Sequence, residues 1–252
     1  MSVHRDDIMA TLNAWLLPER FSDYCPNGLQ VEGRAQVERV ISGVTASQQF
    51  LDEAIADGAD MVLVHHGYFW KGEDQRIQGM KKRRIETLLR HGVSLAAFHL
   101  PLDAHPELGN NACLGRDLAV DQARPVTDDP LELLWQGEFR SPLTVEQFSG
   151  RLEQTLGQAP LVVGDGPESI RRIAWCSGGA QGMIDRAAAL GVDAFMSGEI
   201  SEPTVHSARE QGLYYFAAGH HATERGAVQA TGERLAGELG ISHRFIDDAS
   251  PA

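Results

Sequence analysis

Two stretches of this chain, residues 37–67 and 170–198, repeat one order of elements 133 positions apart. Val40 falls opposite Ile173, Gln48 opposite Gln181, Asp52 opposite Asp185, Ala54 opposite Ala187, Gly58 opposite Gly191 and Asp60 opposite Asp193. Each stretch reads strand, turn, amphipathic helix, strand. Alternation of strand with helix calls for a mostly parallel sheet flanked by helices, so a chain that does this twice is expected to fold as two similar α/β halves. The second strand of each stretch ends in a polar pair, His65-His66 in the first and Gly198-Glu199 in the second, with Glu199 opposite His66.

Apolar runs place the strands near residues 37–44, 60–64 and 93–98 in the first half. In the second they fall at 131–139, 161–163, 173–176, 193–196 and 213–218. Pro125, Asp128, Asp129 and Pro130 mark 121–130 as the link between halves. The expected division is a first α/β domain over 1–124 and a second over 125–224, with a last helix and strand in 225–252 packing back on the first. Thr144 with Gln147 three residues on has capping-box chemistry and predicts a helix start.

The chemistry sits just past the strands. His65-His66 follow Met61 to Val64, His99 follows Leu95 to Phe98, and His220-His221 follow Tyr214 to Ala218. His99 is followed four residues later by Asp103, and His220 four residues later by Glu224. In open α/β sheets ligands bind beyond the carboxyl ends of strands, so imidazole and carboxylate groups recurring there point to one metal centre between the halves. A catalytic tetrahedral zinc uses three protein ligands; five or six donors of this type suit two ions. Imidazole and carboxylate accept zinc, iron, manganese, nickel or cobalt. Two such ions activate a bridging water and make hydrolysis the default chemistry. His221 is expected to support a ligand, whereas His4, His91, His105, His206 and His243 read as surface or capping residues. Ser177-Gly178-Gly179 reads either as a phosphate cradle or as a tight turn, and Cys25-Pro26-Asn27-Gly28 as a turn.

Charge narrows the partners. Lys plus Arg is 22 against 35 Asp plus Glu, so 22 − 35 = −13, which argues against duplex nucleic acid and leaves a small anionic substrate. The basic run Lys81-Lys82-Arg83-Arg84 reads as a solvated helix face. Three widely spaced cysteines without C-x-x-C fit a reducing compartment. No apolar run approaches the roughly 20 residues of a membrane span, and the start carries no signal-peptide core; a cytoplasmic protein is expected.

Asn27-Gly28-Leu29-Gln30-Val31, Val64-His65-His66-Gly67, His99-Leu100-Pro101-Leu102-Asp103 with Gly109-Asn110-Asn111 behind it, and Gly219-His220-His221-Ala222-Thr223-Glu224-Arg225-Gly226 together resemble the YbgI-like family, whose members are also named GTP cyclohydrolase 1 type 2 homologues. The resemblance covers essentially the whole chain. It implies a two-domain α/β protein of the short form with a dinuclear metal centre, assembled as a toroidal homo-hexamer. It also implies His65, His66, Asp103, His220 and Glu224 as the metal ligands, with Glu224 bridging, and His99 near the metals as an outer acid or base. The activity to expect is metal-dependent hydrolysis of a purine nucleotide or related anionic small molecule, with His99 or Glu199 handling the proton. The alternatives are a general phosphatase or phosphodiesterase, and a non-catalytic metal-binding or scaffold protein.

Overall fold

Asp60 and Asp193, partners in the sequence repeat, each set the register of a parallel strand pair in the same way. In the computed structural model, which describes residues 2–248 and 250–251, Asp60 Oδ2 accepts the backbone N–H groups of Glu38 (2.8 Å) and Arg39 (3.1 Å). Asp193 Oδ2 accepts those of Arg171 and Arg172, both at 2.8 Å. A carboxylate holding two successive amides fixes where the strand begins. Val40 consequently pairs with Met61, and Ile173 with Ala194. Gly58 (φ 77°) and Gly191 (φ 68°) make the left-handed turn just before each aspartate, a conformation that costs glycine no Cβ clash.

The chain forms two units, residues 2–102 with 227–248, and residues 103–226 with 250–251. In the first, a five-stranded sheet runs β13-β4-β5-β6-β2. Its strands are β2 (Gly28–Val31), β4 (Arg39–Thr45), β5 (Met61–His66), β6 (Ser94–Ala97) and β13 (Ser242–Phe245); β1 (Val3–His4) and β3 (Gln36–Val37) form a separate pair. β13, β4, β5 and β6 are parallel, and β2 closes the edge antiparallel. Met61, Val62, Leu63 and Val64 are all fully buried, as expected of a parallel strand covered on both faces. Met61 and Leu63 face α1 (Arg5–Leu16) and α10 (Arg225–Leu239) through Ile8, Leu12, Val228 and Leu235. Val62 and Val64 alternate onto α2 (Gln48–Ala56) and α3 (Gly79–His91) through Phe50, Leu51, Ile85 and Leu88.

The second unit carries a six-stranded sheet, β7-β8-β10-β11-β12-β9, of β7 (Asp121–Pro125), β8 (Trp135–Leu143), β9 (Leu161–Val163), β10 (Ile170–Trp175), β11 (Ala194–Ser197) and β12 (Tyr214–Ala217). Its core gathers Ile173, Trp175, Met196 and Phe216 against Phe148, Leu152 and Leu156. Those last three lie four residues apart along one face of α6 (Val145–Leu156), whose capping box joins Thr144 and Gln147 as the sequence predicts.

Four features differ in detail from expectation. The chain passes between units at Leu102/Asp103 rather than at 124/125, within the short helix α4 (Leu100–Ala104). The reason is packing: Leu114 and Leu118 of α5 (Asn110–Asp117), with Val120, join the Trp135 and Trp175 core, and most of the expected link is strand β7, paired with β8. The mostly parallel arrangement holds for the first sheet, while the second is parallel at β10-β11-β12 and flanked by antiparallel strands on both sides. Strand β8 starts late because Asp129 Oδ2 caps the amides of Leu133 and Leu134 at 2.7 Å each. His243, expected on the surface, is part-buried on β13, with Nε2 2.8 Å from Ser42 Oγ. No helix among the described residues is long and apolar enough to cross a membrane.

Candidate metal-binding site

The first unit delivers its imidazoles from the carboxyl ends of neighbouring parallel strands. His65 and His66 end β5, and His99 lies two residues past β6. Each ring is held through Nδ1. His65 Nδ1 donates to the Phe98 carbonyl (3.1 Å), His66 Nδ1 pairs with Thr45 Oγ1 (3.1 Å), and His99 Nδ1 donates to Asp23 Oδ1 (2.7 Å). Ring centroids lie 4.6 Å apart for His65 and His66, 5.0 Å for His65 and His99, and 5.8 Å for His66 and His99. The ligand atoms of these three histidines fall within 4.8 Å of one another, a group able to hold a metal ion. Trp70 packs edge-on to His99 at 5.1 Å.

The second unit supplies carboxylates. Asp103 is buried, and its Oδ1 accepts from Asn110 Nδ2 (2.9 Å) and Ser177 Oγ (2.8 Å). Asn111 Nδ2 holds the Asp103 backbone carbonyl (3.2 Å), and Asn111 Oδ1 takes the Ser177 amide (2.9 Å). His220 opens the one-turn helix α9 (His220–Thr223), just beyond β12. Its Nδ1 meets Glu199 Oε1 at 2.7 Å and its Nε2 meets Glu224 Oε1 at 3.2 Å. The hydrogen bond to Glu224 leads in raising the His220 pKa to about 9; burial opposes it, and the two carboxylate charges and the Glu199 hydrogen bond add to it. Glu224 itself is only 3 % exposed.

Several expectations resolve at this level. The Ser177-Gly178-Gly179 segment is a locked turn, since the Ser177 amide goes to Asn111 and the Gly178 amide to Thr223 Oγ1 (3.0 Å). Gly178 has φ 62°, and a Cβ there would fall on Glu224 Oε1 and close to His220 Nε2; the glycine keeps that space open. Glu199 lies beside the His220 ring. Cys25 is buried, and burial leads in pushing its thiol up to about 12, which leaves no thiolate nucleophile at neutral pH. His221 follows His220 on α9. His4 caps α1, His105 accepts the amides of Glu107 and Leu108, and His91 and His206 are exposed, as expected.

Sequence reading missed the residues that hold the donors: Asp23, Thr45, Ser177 and Thr223. The signal for Asp23 lay in the motif beginning at Asn27, whose Nδ2 donates to Asp23 Oδ2 (2.9 Å) and whose Oδ1 accepts the His99 amide (2.7 Å). Gln30 of that motif clamps the Tyr68 backbone, accepting its amide at 2.7 Å and donating to its carbonyl at 3.1 Å. Metal-ligating histidines almost always engage their other ring nitrogen with a carboxylate, carbonyl or water, and His65, His66, His99 and His220 all have Nδ1 engaged. With anchored carboxylates and a glycine in place of a filling side chain, the residues fit divalent metal.

The fold is that of an α/β protein whose strand-end histidines form a group that could hold a metal ion. Residues 3–251 match the family Duf34/NIF3 (NGG1p interacting factor 3), and the chain belongs to that family. It is 52 % identical over 253 residues to the GTP cyclohydrolase 1 type 2 homolog of Pseudomonas aeruginosa, covering 100 % of both chains. It is 52 % identical over 242 residues to the protein of the same name from Escherichia coli K12, covering 96 % of each. Among solved structures it is similar to protein ybgI, with 49 % identity, TM-score 0.95, and coverage of 99 % of this chain and 100 % of that one.

Proposed function

We propose that this chain is a metal-dependent hydrolase of a purine nucleotide or related anionic small molecule. In this reading it holds two divalent cations through His65, His66, Asp103, His220 and Glu224, with Glu224 shared. The observation that carries it is the common state of the four histidines, each engaged through Nδ1 so that Nε2 is presented as the ligand or acid–base atom. Asp103, with Oδ1 taken by neutral donors, and Glu224 supply the negative charge that a pair of dications requires. Ions bound there supply Lewis acidity and lower the pKa of a bound water toward neutrality. The residues of the chain do the rest. His99 takes the proton at Nε2 and returns it to the leaving group, while Glu199 orients His220 through Nδ1. The relatives' name directs the choice of substrate to GTP, opened by water at the imidazole ring carbon with release of formate. The family resemblance further supports a homo-hexamer, and three widely spaced cysteines without C-x-x-C support a reducing, cytoplasmic location.

Metal content per chain, measured by elemental analysis on wild type and Glu224→Ala with GTP consumption and formate followed in the same samples, tests the proposal. Two ions per chain, lost together with formate release in the variant, are expected. GTP consumed without formate would transfer the reading to phosphate ester hydrolysis. Two ions with no turnover of any nucleotide would overturn the hydrolase and leave a metal-binding protein.

A further inference from the structure

We infer that Asp23 is a positioning residue, fixing His99 as the Nδ1–H tautomer so that Nε2 is the atom that exchanges the proton. The inference rests on the hydrolytic reading for its effect on turnover, but not for its effect on the imidazole.

Asp23 lies in the irregular loop before β2, and its side chain is only 2 % exposed. It nevertheless meets four donors. Oδ1 accepts from His99 Nδ1 (2.7 Å) and the Tyr24 amide (2.6 Å), and Oδ2 from Asn27 Nδ2 (2.9 Å) and the Leu100 amide (2.9 Å). Asn27 Oδ1 holds the His99 amide from the other side. One five-residue loop therefore clamps both the ring and the backbone of His99. Burial raises the Asp23 carboxyl, but the hydrogen bonds from His99 and Asn27 and the His99 charge outweigh it, so the group lies below its ordinary value. It is a carboxylate at neutral pH and acts only as an acceptor, which leaves the proton on His99 Nδ1.

A buried charge adds little net stability over an apolar side chain of similar volume. Capping the Leu100 amide needs only a neutral oxygen, which asparagine would supply. What asparagine cannot supply is an acceptor-only group facing Nδ1. The other strand-end histidines are held differently: His65 by a backbone carbonyl, His66 by a hydroxyl, and His220 by Glu199, whose side chain is 46 % exposed. His99 is the one of these four whose Nδ1 meets a carboxylate withdrawn from solvent.

The test is the imidazole tautomer, read by long-range proton–nitrogen correlation NMR on the full chain, chelator-treated and zinc-loaded, with His99→Gln used to assign the ring. Wild type is expected to show Nδ1–H at His99, Asp23→Asn a mixture of tautomers, and Asp23→Glu a return toward wild type. In the same proteins kcat is expected to fall about 10–100-fold in Asp23→Asn, with KM little changed and partial rescue in Asp23→Glu. An Nε2–H ring in wild type, which needs no variant to fold, overturns the inference, as does an unchanged tautomer in Asp23→Asn. A tautomer that follows Asp23 in a chain that turns over no nucleotide overturns the hydrolase and leaves the hold of Asp23 on His99 standing.

Discussion

The two units share a strand pair started by the same aspartate device, yet they offer opposite chemistry at its carboxyl edge. The first presents three imidazoles, His65, His66 and His99, each with Nδ1 engaged. The second presents the buried carboxylates Asp103 and Glu224 together with His220, whose Nε2 meets Glu224 Oε1. The positions correspond closely enough for Glu199 to fall opposite His66 in the repeat, but one faces Thr45 and the other His220. A parallel sheet thus fixes where donors stand, and single residues at strand ends decide what they are. Imidazole suits the later, softer divalent ions and carboxylate the harder ones, so the two units are expected to contribute unequally to binding different metals.

The bluntest way to break the comparison is to unmake one scaffold. Phe148 is fully buried on α6, 5.2 Å from Phe139 and 4.8 Å from Phe216 between ring centroids, and Phe50 is likewise fully buried, on α2 in the core of the first unit. Each Phe→Ala is expected to cost about 3–5 kcal/mol. In urea unfolding, Phe148→Ala should loosen the carboxylate donors while the histidines of the first unit keep their native NMR shifts. Loss of both sets together would show that the units do not present their donors independently.

Next in size, metal preference sharpens the contrast. Glu224→Ala is expected to weaken manganese binding by more than about 100-fold, beyond what loss of an outer partner costs, and to weaken zinc less. His66→Ala should reverse that order. Isothermal titration with each metal checks it, and equal losses in both variants would dissolve the distinction between the units.

Much of this was legible in the sequence because strands buried on both faces read as continuous apolar runs, and because the repeat carries its own register. Val40, Asp60, Ile173 and Asp193 could be matched by number alone, and the structure pairs them accordingly. The histidines past each strand were visible for the same reason. The partners that aim them were not. Asp23 sits 76 residues from His99 in a loop without periodicity, and Ser177 reaches Asp103 across 74 residues; such contacts come from tertiary closure, which no local pattern encodes. The division of the chain was misplaced because Pro125 and the paired Asp128-Asp129 look like a linker. In the folded chain Pro125 ends an edge strand, where a missing N–H is tolerated, and Asp129 turns its carboxylate onto backbone amides.

A smaller effect isolates the space beside Glu224 in the second unit. Gly178→Ala meets a positive φ and sets a Cβ upon Glu224 Oε1, at a cost of about 1–3 kcal/mol in strain. Metal affinity should fall with it by about tenfold or more. Gly150→Ala on α6, where a Cβ meets nothing within 4 Å, should instead raise the melting temperature slightly, since alanine loses less conformational entropy in a helix. If Gly178→Ala behaved like Gly150→Ala, the glycine would have no part in shaping the site.

The mildest contrast is one of pH, and it sets a histidine of the fold against a histidine of the site. Burial leads in lowering the His243 pKa, with Glu233 opposing it, and Gly232 leaves no room for a Cβ against its ring. The folded value therefore lies below the unfolded one, so the neutral ring is favoured by folding. Its contribution is fully present above the ordinary histidine value of about 6.5 and is lost as pH falls through that value toward the lower, folded one. His220 has the opposite sign. Its value is raised to about 9, so its contribution is present below the ordinary histidine value and is lost as pH rises through about 9. In chelator-treated protein, melting followed from pH 8 to pH 5 should weaken the first unit toward acid while the second holds or gains. His243→Gln, which keeps a hydrogen-bonding group near Ser42 Oγ and removes the titration, should flatten the acid loss of the first unit and leave the second unchanged. An acid loss that persists in this variant would place the sensitive group elsewhere in the unit and remove His243 from the comparison.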